Sequence, residues 1–372
     1  MGLIRIISRI IVGLVFSFSG FVKCVDPLGT VYKFEEYFEA FGIDSLVWFA
    51  LPAAILMCAI ELSIGLMLLF NIKIPWAAWL AVIFMAAFTP LTLILALTNP
   101  VSDCGCFGDA LILTNWQSFI KNIIIDILVV IIFIERKKFK ELFGKRYSKY
   151  AAFITLSVAL GLEIFNLNRL PIIDFRPYKI GVNIPDAMII PDDAPQPIYQ
   201  TTLIYKKDGK TQEFTIDNYP QEGWEFVDTE NKLIQKGYEP PIHDFSIREN
   251  GVDITDELLT GENYVFLLIS QDLEKSSRKN QEEINLLAGR MMNSGYRFIC
   301  LTNTSQENIE KFKQETGAPY IFGFTDQTTL KTIVRSNPGL ILLKSGTIID
   351  KWHHRNLPEV DELLEKLQTS SY

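Results

Sequence analysis

The sequence predicts a membrane α-helical bundle joined to a soluble α/β domain, with a β-rich segment between them. Three observations carry this. Apolar residues make up 49% of the 372 residues but crowd into positions 1–167, whereas the chain from Arg169 onward is rich in Asp, Glu, Lys, Asn and Gln. Five apolar runs are long enough to cross a bilayer, which takes about 20 helical residues. Beyond residue 264, strand-like and helix-like periodicities alternate, as in a sheet covered on both faces.

The five runs fall near 4–22, 46–70, 75–98, 117–134 and 150–167. Arg5 and Arg9 give the first run the look of a signal peptide. It ends at Phe21-Val22-Lys23-Cys24 with no A-x-A-like site, however, and more spans follow, so retention is expected. Cys24 also lacks the small apolar neighbours of a lipoprotein cleavage box. The connection at 135–149 holds seven basic residues, whereas 99–116 holds none. The positive-inside rule assigns the first to the cytoplasm, together with Arg5, Arg9 and Lys73, and the second to the opposite face. The acidic loop 23–45 and everything after Arg169 then lie outside too, on the periplasmic or extracytoplasmic side of a cytoplasmic membrane. The predicted units are a bundle at 1–134, a basic loop with a fifth span at 135–167, a β-rich exported segment at 168–245 and an α/β domain at 246–372.

In the exported half, "TTLIYKKDGKTQEFTI" reads as strand, Asp208-Gly209 turn, strand. "YVFLLIS" is a continuous apolar run suited to a buried parallel strand, and Leu273 to Asn293 follows with helical spacing. "YRFICLTN" is the next strand, and Thr304 to Glu307 reads as a capping box. "PYIFGFT", a short helix, two strands turning at Ser345-Gly346 and a helix from Pro358 complete the domain. Cys300 lies within a strand as a small core residue, and His353 and His354 are expected at an exposed strand end.

The stretch "SDCGCFGDALILTN" is the main chemical signal, because two of the chain's five cysteines flank Gly105 on the basic-poor face. Cysteines at i and i+2 close a small ring with Cα atoms near the upper limit of separation, a strain that Gly105 relieves in part. Such a bond closes too short a loop to stabilise much and is suited to turnover. Alternatives stay open: two ligands of a metal site with Asp103 and Asp109, pairing of either thiol with Cys24, or free thiols. Glu61, one turn beyond Cys58, is a costly carboxyl inside a span and a candidate proton acceptor beside a thiol or quinone. Asp126 and Lys121 are expected to pair or snorkel, and Glu163 carries no expected role. The net charge of −8 argues against nucleic acid as a partner.

"RIIVGLVFSFSGFVKCVDP", Glu61 with Gly65, and "CGCFG" before the fourth span resemble the DoxX-like superfamily in its MauE branch, over about 1–134. That resemblance implies a polytopic membrane protein tied to disulfide formation or electron transfer, first named for methylamine dehydrogenase maturation. The fifth span and the fused domain depart from it. "PPIHDFSI", "YVFLLIS" and Asn337-Pro338-Gly339 before "LILLKSGTIIDKW" resemble a thioredoxin-like domain of the TlpA kind. In that family the proline is cis and faces the redox dithiol, which makes Pro338 the matching position. Residues 271–280, "QDLEKSSRKN", hold no cysteine where that dithiol belongs.

The sequence reading is therefore a redox-associated membrane protein acting through Cys104 and Cys106, with Glu61 as proton acceptor and Cys24, Cys58 and Pro338 as further candidates. A quinone is the candidate cofactor, no metal is expected, and an exported protein is the partner. The rival is a non-enzymatic membrane-anchored scaffold whose thioredoxin-like domain binds a client. A transporter, suggested by the buried carboxyls alone, is the weakest reading.

Overall fold

The computed structural model describes residues 2–144, 147–207, 209–220, 222–235, 237–243 and 245–369. Lys145 and Arg146 of the basic connection, Asp208 of the predicted turn and Asp244 of "PPIHDFSI" lie outside the described residues.

Five helices are long and apolar enough to cross a membrane: α1 (Gly2–Val25), α3 (Ala50–Leu69, led in by a 3-10 turn at Asp44–Phe49), α4 (Ile74–Thr98), α5 (Asn115–Glu135) and α6 (Tyr147–Asn168). Between the first two lies α2 (Pro27–Ala40), an element absent from the sequence reading, which took 23–45 as a loop. Asp26 caps it by accepting from Gly29 N, and Pro27 occupies its first turn. It packs through Leu28, Val31, Phe34 and Phe38 against Ala50 and Ala54 of α3.

Helices α1 and α3 cross at backbone contact. A Cβ on Gly20 would lie 2.4 Å from Leu62 N, and one on Gly65 would lie 2.3 Å from Ser17 N. Small residues at a crossing let two membrane helices approach this closely. Large apolar side chains on α1, α4, α5 and α6 face outward, including Ile7, Ile10, Ile83, Leu97, Ile120, Ile127 and Phe153. Arg5, Arg9 and Lys73 gather at one end of the bundle: Arg5 pairs with Glu135, Arg9 donates to the carbonyls of Leu68 and Leu69, and Lys73 pairs with Glu141.

Past α6, residues 170–190 correct the expected β-rich reading. They contain the short helix α7 (Ile184–Met188), and Tyr178 and Ile184 are buried in the α/β core. Arg176 and Lys351 both hold Asp174, tying this segment to the domain. Strands follow: β1 (Ile198–Lys207), β2 (Lys210–Thr215) and β3 (Glu225–Gln235) form an antiparallel sheet of order β2-β1-β3.

The second sheet contains β4 (Arg248–Glu249), β5 (Val252–Asp253), β6 (Tyr264–Ile269), β7 (Arg297–Thr302), β8 (Ile321–Phe324), β9 (Gly339–Lys344) and β10 (Thr347–His353), in the order β10-β9-β6-β7-β8-β4-β5. β6, β7 and β8 run parallel, while β9 and β10 are antiparallel to their neighbours. Alternation assigns the β6 side chains to two cores. Val265, Leu267 and Ile269 pack with α8 (Thr255–Thr260) and α11 (Gln327–Ile333), and Phe266 and Leu268 pack with α9 (Gln281–Asn293), α10 (Gln306–Thr316) and α12 (Val360–Gln368). The sheet is thus covered on both faces.

Details differ from the sequence reading. Helix α9 starts at Gln281, because residues 271–280 are irregular. Ser305, not Thr304, occupies the N-cap of α10 without a side-chain cap, and Thr304 Oγ1 instead accepts from Leu273 N. A reciprocal capping box exists elsewhere, at Thr114 and Gln117 of α5. His353 and His354 are buried, not exposed, with ring centroids 4.2 Å apart. Asn337-Pro338 is a cis peptide, the geometry expected at that position. Cys300 is buried between the sheet and its helices, where burial pushes its thiol pKa up.

Candidate functional site

Cys104 and Cys106 form a disulfide with Cα atoms 5.4 Å apart. This separation is mid-range, not near the limit, because Gly105 at φ +62° folds the chain back between them. Cys24, the other partner considered, stands apart as a free buried thiol. Among the described residues no group of three or more His, Cys, Asp or Glu could hold a metal ion.

The loop is fastened from three helices. From α2, Tyr37 Oη donates to the Cys104 carbonyl at 2.6 Å, and Lys33 Nζ bonds Asp103 Oδ1 at 3.0 Å and Glu36 at 2.7 Å. Asp103 Oδ2 accepts from Gly105 N at 2.7 Å. Burial works against the Lys33 charge, but Asp103 and Glu36 outweigh it and hold its pKa above the usual value. From α5, the Ser118 hydroxyl lies 3.0 Å from Cys104 Sγ and is the donor, since a disulfide sulfur carries no proton. From α1, Ser19 Oγ lies 2.6 Å from the Cys106 carbonyl and 2.6 Å from Glu61 Oε1.

Glu61 is therefore one bond removed from the disulfide loop. Its other oxygen pairs with Lys23 Nζ at 2.8 Å, and Lys23 also reaches Ser19 at 3.1 Å. Both charged groups are buried, at 7% and 4% relative exposure for Lys23 and Glu61. A pair so buried persists only when its hydrogen bonds are satisfied, as they are here through Ser19.

This cluster lines a cavity of about 320 Å³ that runs from the disulfide into the bundle. Its deep walls include Phe16, Phe84, Met85, Phe88 and Leu95, and Lys121 and Asn122 of α5 reach the same space. Lys121 lies 4.7 Å over the Phe107 ring, and Asp126 accepts from Thr89, so the expected Lys121–Asp126 pairing is absent.

The remaining candidates sit apart. Cys24 is fully buried with its Sγ 3.7 Å from Glu163 Oε1, on the α6 side of the bundle. Cys58 is buried beside Thr30 Oγ1 at 3.6 Å. Both are free thiols. Glu163, expected to be idle near a span end, is wholly buried, and its Oε2 has no hydrogen-bond partner among the described residues. Pro338 lies in the α/β domain beside Ser336, whose hydroxyl bonds the Pro338 carbonyl and contacts His354 Nδ1 at 3.0 Å.

Sequence reasoning missed Ser19, Lys23, Lys33 and Tyr37 in the bundle, and weighed Asp109 only as a neighbour in a metal site. The available signal was Lys23 four residues after Ser19 in the mostly apolar second half of the helix, which puts both on one face. It also missed Arg335, whose guanidinium bonds Asp26 at 2.8 Å and Asp109 Oδ2 at 3.1 Å. Burial pushes the Asp109 carboxyl pKa up, with Arg335 opposing.

A family match decides the type of the membrane half. Residues 1–135 match the family described as methylamine utilisation protein MauE. Residues 1–135 form a MauE-type membrane domain, α6 adds a fifth span, and the chain is a multi-pass membrane protein. Residues 199–236, which span β1 to β3, match a domain of unknown function, DUF8463. No curated protein matches the chain.

Solved structures similar to the chain include a candidate protein disulfide isomerase from Bacteroides thetaiotaomicron (17% identity, 34% of this chain and 84% of that one, TM-score 0.28). A thiol peroxidase from Chromobacterium violaceum matches at 12% identity over 35% of this chain and 86% of its own, with TM-score 0.27. A thioredoxin-like protein from Bacteroides caccae matches at 12% identity over 88% and 84%, with TM-score 0.24. The parallel β6-β7-β8 set, the antiparallel β9-β10 hairpin and the cis peptide before β9 make the soluble α/β domain thioredoxin-like in fold. A MauE-type bundle joined to a thioredoxin-like fold points to a redox-related role.

Proposed function

We propose that this chain is a membrane thiol–disulfide oxidoreductase working on the non-cytoplasmic face through Cys104 and Cys106. The observation that carries the reading is the disulfide at the head of a cavity that holds the buried Lys23–Glu61 pair. A thiolate of an exported partner attacks one sulfur, breaking the Cys104–Cys106 bond and forming a mixed disulfide. The partner's second thiol then displaces it. The partner leaves oxidised, and the pair is left as a dithiol that has gained two electrons and two protons. Ser19 links Glu61 to the loop and makes the Glu61 carboxylate a proton acceptor connected to it from within the bundle.

The cavity residues fit a quinone: aromatic and aliphatic walls would hold a ring, and Lys121 and Asn122 offer donors for its oxygens. Such a group, when bound, takes up the two electrons and two protons that restore the disulfide. The gathering of Arg5, Arg9 and Lys73 at the opposite end of the bundle supports the orientation.

A second reading, a non-enzymatic assembly scaffold, is favoured by the absence of cysteine from residues 271–280. Trapping separates the two. With Cys104→Ser or Cys106→Ser, the remaining thiol is expected to retain an exported protein as a mixed disulfide. Absence of adducts from both variants, with a pair that never changes redox state in the parent protein, favours the scaffold. An impermeant thiol reagent should label the reduced pair in intact cells, and labelling only after lysis would reverse the orientation.

A further inference from the structure

On the thioredoxin-like domain, Gln271 at the end of β6 and the nearby Lys331 and Arg335 are in contact with the chain's own membrane domain. Tyr32 of α2 exchanges hydrogen bonds with the Gln271 side chain at 3.0–3.1 Å, at the position where a thioredoxin-type dithiol belongs. Lys331 and Arg335 flank the same ring, with their charged groups 4.7 and 5.2 Å from its centroid. Lys331 Nζ pairs with Glu35 of α2 at 3.1 Å. Burial pushes the Tyr32 phenol pKa up. Three contacts of different chemistry thus seat α2 on one patch, between residues more than two hundred positions apart.

Arg335 joins this seat to the disulfide loop. It is buried at 6% exposure, and its fork spans two carboxylates of the membrane domain. Asp26 stands at the corner between α1 and α2, and Asp109 lies three residues past Cys106 in the 3-10 turn that closes the loop. Its Nη1 is also spent on the Lys331 carbonyl, which fixes the side chain to α11. A guanidinium suits such a site because its planar donors meet two acids in fixed directions, where an ammonium offers a point charge. Ser270 and Asp272, at the end of β6, are bonded to Asn337, so the loop before Pro338 and the former dithiol position move as one body.

We infer that α2 is the resident occupant of the thioredoxin-like domain's partner-binding face, and that Arg335 is a positioning residue holding the Cys104–Cys106 loop through Asp109. The domain therefore works as a fixed clamp on the loop and not as a dock for a separate client at this face. This goes beyond the redox reading and rests on it only for the value of holding the loop. The test below reads thiol exposure, which needs no turnover.

Full-length protein in lipid nanodiscs serves for two measurements. A Tyr32→Cys, Gln271→Cys double variant should be bridged within the chain by a short bis-maleimide at near-complete yield, a spacer being needed because contact through the tips of two long side chains leaves the Cβ atoms too far apart for a direct disulfide. In otherwise unchanged protein, Arg335→Gln and Asp109→Asn should each raise the alkylation rate of the reduced Cys104/Cys106 pair roughly tenfold, as local opening of the loop becomes easier. Arg335→Lys should restore at least part of the protection. Asp109 lies outside both domain cores, so Asp109→Asn keeps the question open to test if Arg335→Gln fails to fold. Absence of the crosslink would overturn the resident-occupant claim, and unchanged alkylation in Asp109→Asn would overturn the positioning role. If both results hold while trapping finds no redox partner, the clamp stands and the oxidoreductase reading falls.

Discussion

Replacing Lys23 by Met removes the only cation bonded to Glu61 among the described residues and leaves its carboxylate, 4% exposed, with a single hydroxyl partner. At 2.8 Å separation, and with an effective dielectric of ~20, the attraction between the two charges is about 6 kcal/mol. Desolvation of both ions offsets most of it, so the intact pair contributes little net stability. Breaking it is another matter: a lone buried charge costs ~3–5 kcal/mol, and Lys23→Met and Glu61→Gln should each destabilise the bundle by about that much. The double variant Lys23→Met, Glu61→Gln removes both charges and should return to near the parent stability. Thermal unfolding of the nanodisc-embedded protein, followed by tryptophan fluorescence, measures all four corners of the cycle. Coupling below about 0.5 kcal/mol would refute the buried pair as the source of the cost. The same double variant tests chemistry separately from stability. It should be folded but slow in reoxidising a reduced Cys104/Cys106 pair, and parent-like reoxidation would remove Glu61 from the mechanism.

Further outcomes follow from the helix crossing and from the buried histidines. Gly65→Ala puts a methyl 2.3 Å from Ser17 N and forces α1 and α3 apart by about 1 Å, with an expected cost of ~1–3 kcal/mol in the same unfolding assay. Gly161→Ala on α6 meets nothing within 4 Å and should be neutral or slightly stabilising, so equal effects at the two sites would contradict the contact. Burial, then His354 and Arg355 nearby, push the His353 pKa down to about 4. The folded domain therefore favours neutral His353. Stability is full above the ordinary value near 6.5 and falls as pH drops through 4, by up to about 3 kcal/mol. Hydrogen exchange at β10 in the full chain should accelerate over that window and do so less in His353→Gln; a flat profile would show that the histidine does not titrate there.

The membrane spans were legible because apolar runs of this length have few other uses, and β6 to β10 were legible because strand periodicity and turn residues agree. Helix α2 was not, because "PLGTVYKFEEYFEA" mixes charges with its apolar face and sits between spans, where a loop is the simpler expectation. The segment at 170–190 reads as part of a β-rich stretch until Tyr178 and Ile184 are seen in the core of a domain whose first central strand lies far downstream. For the site, Cys104 with Cys106 and Glu61 could be singled out because thiols two apart and a carboxyl within a span are rare by composition alone. Their partners could not. Lys23 looked like an ordinary span-end lysine, and Arg335 like any surface arginine, because the acids that hold them lie 38 and more than 200 residues away. Charge complementarity over such separations leaves no local pattern to read.

Helix α3 is enclosed by its neighbours to a degree the other spans are not, with 56% of its most apolar window buried against 28% in each of the others. A carboxylate on that helix is insulated from acyl chains by protein. Its energy is set by fixed side chains and not by how thick or fluid the surrounding bilayer is. Electrostatics at this centre should therefore stay constant as the cell remodels its lipids, even while the outward-facing helices tilt to match them.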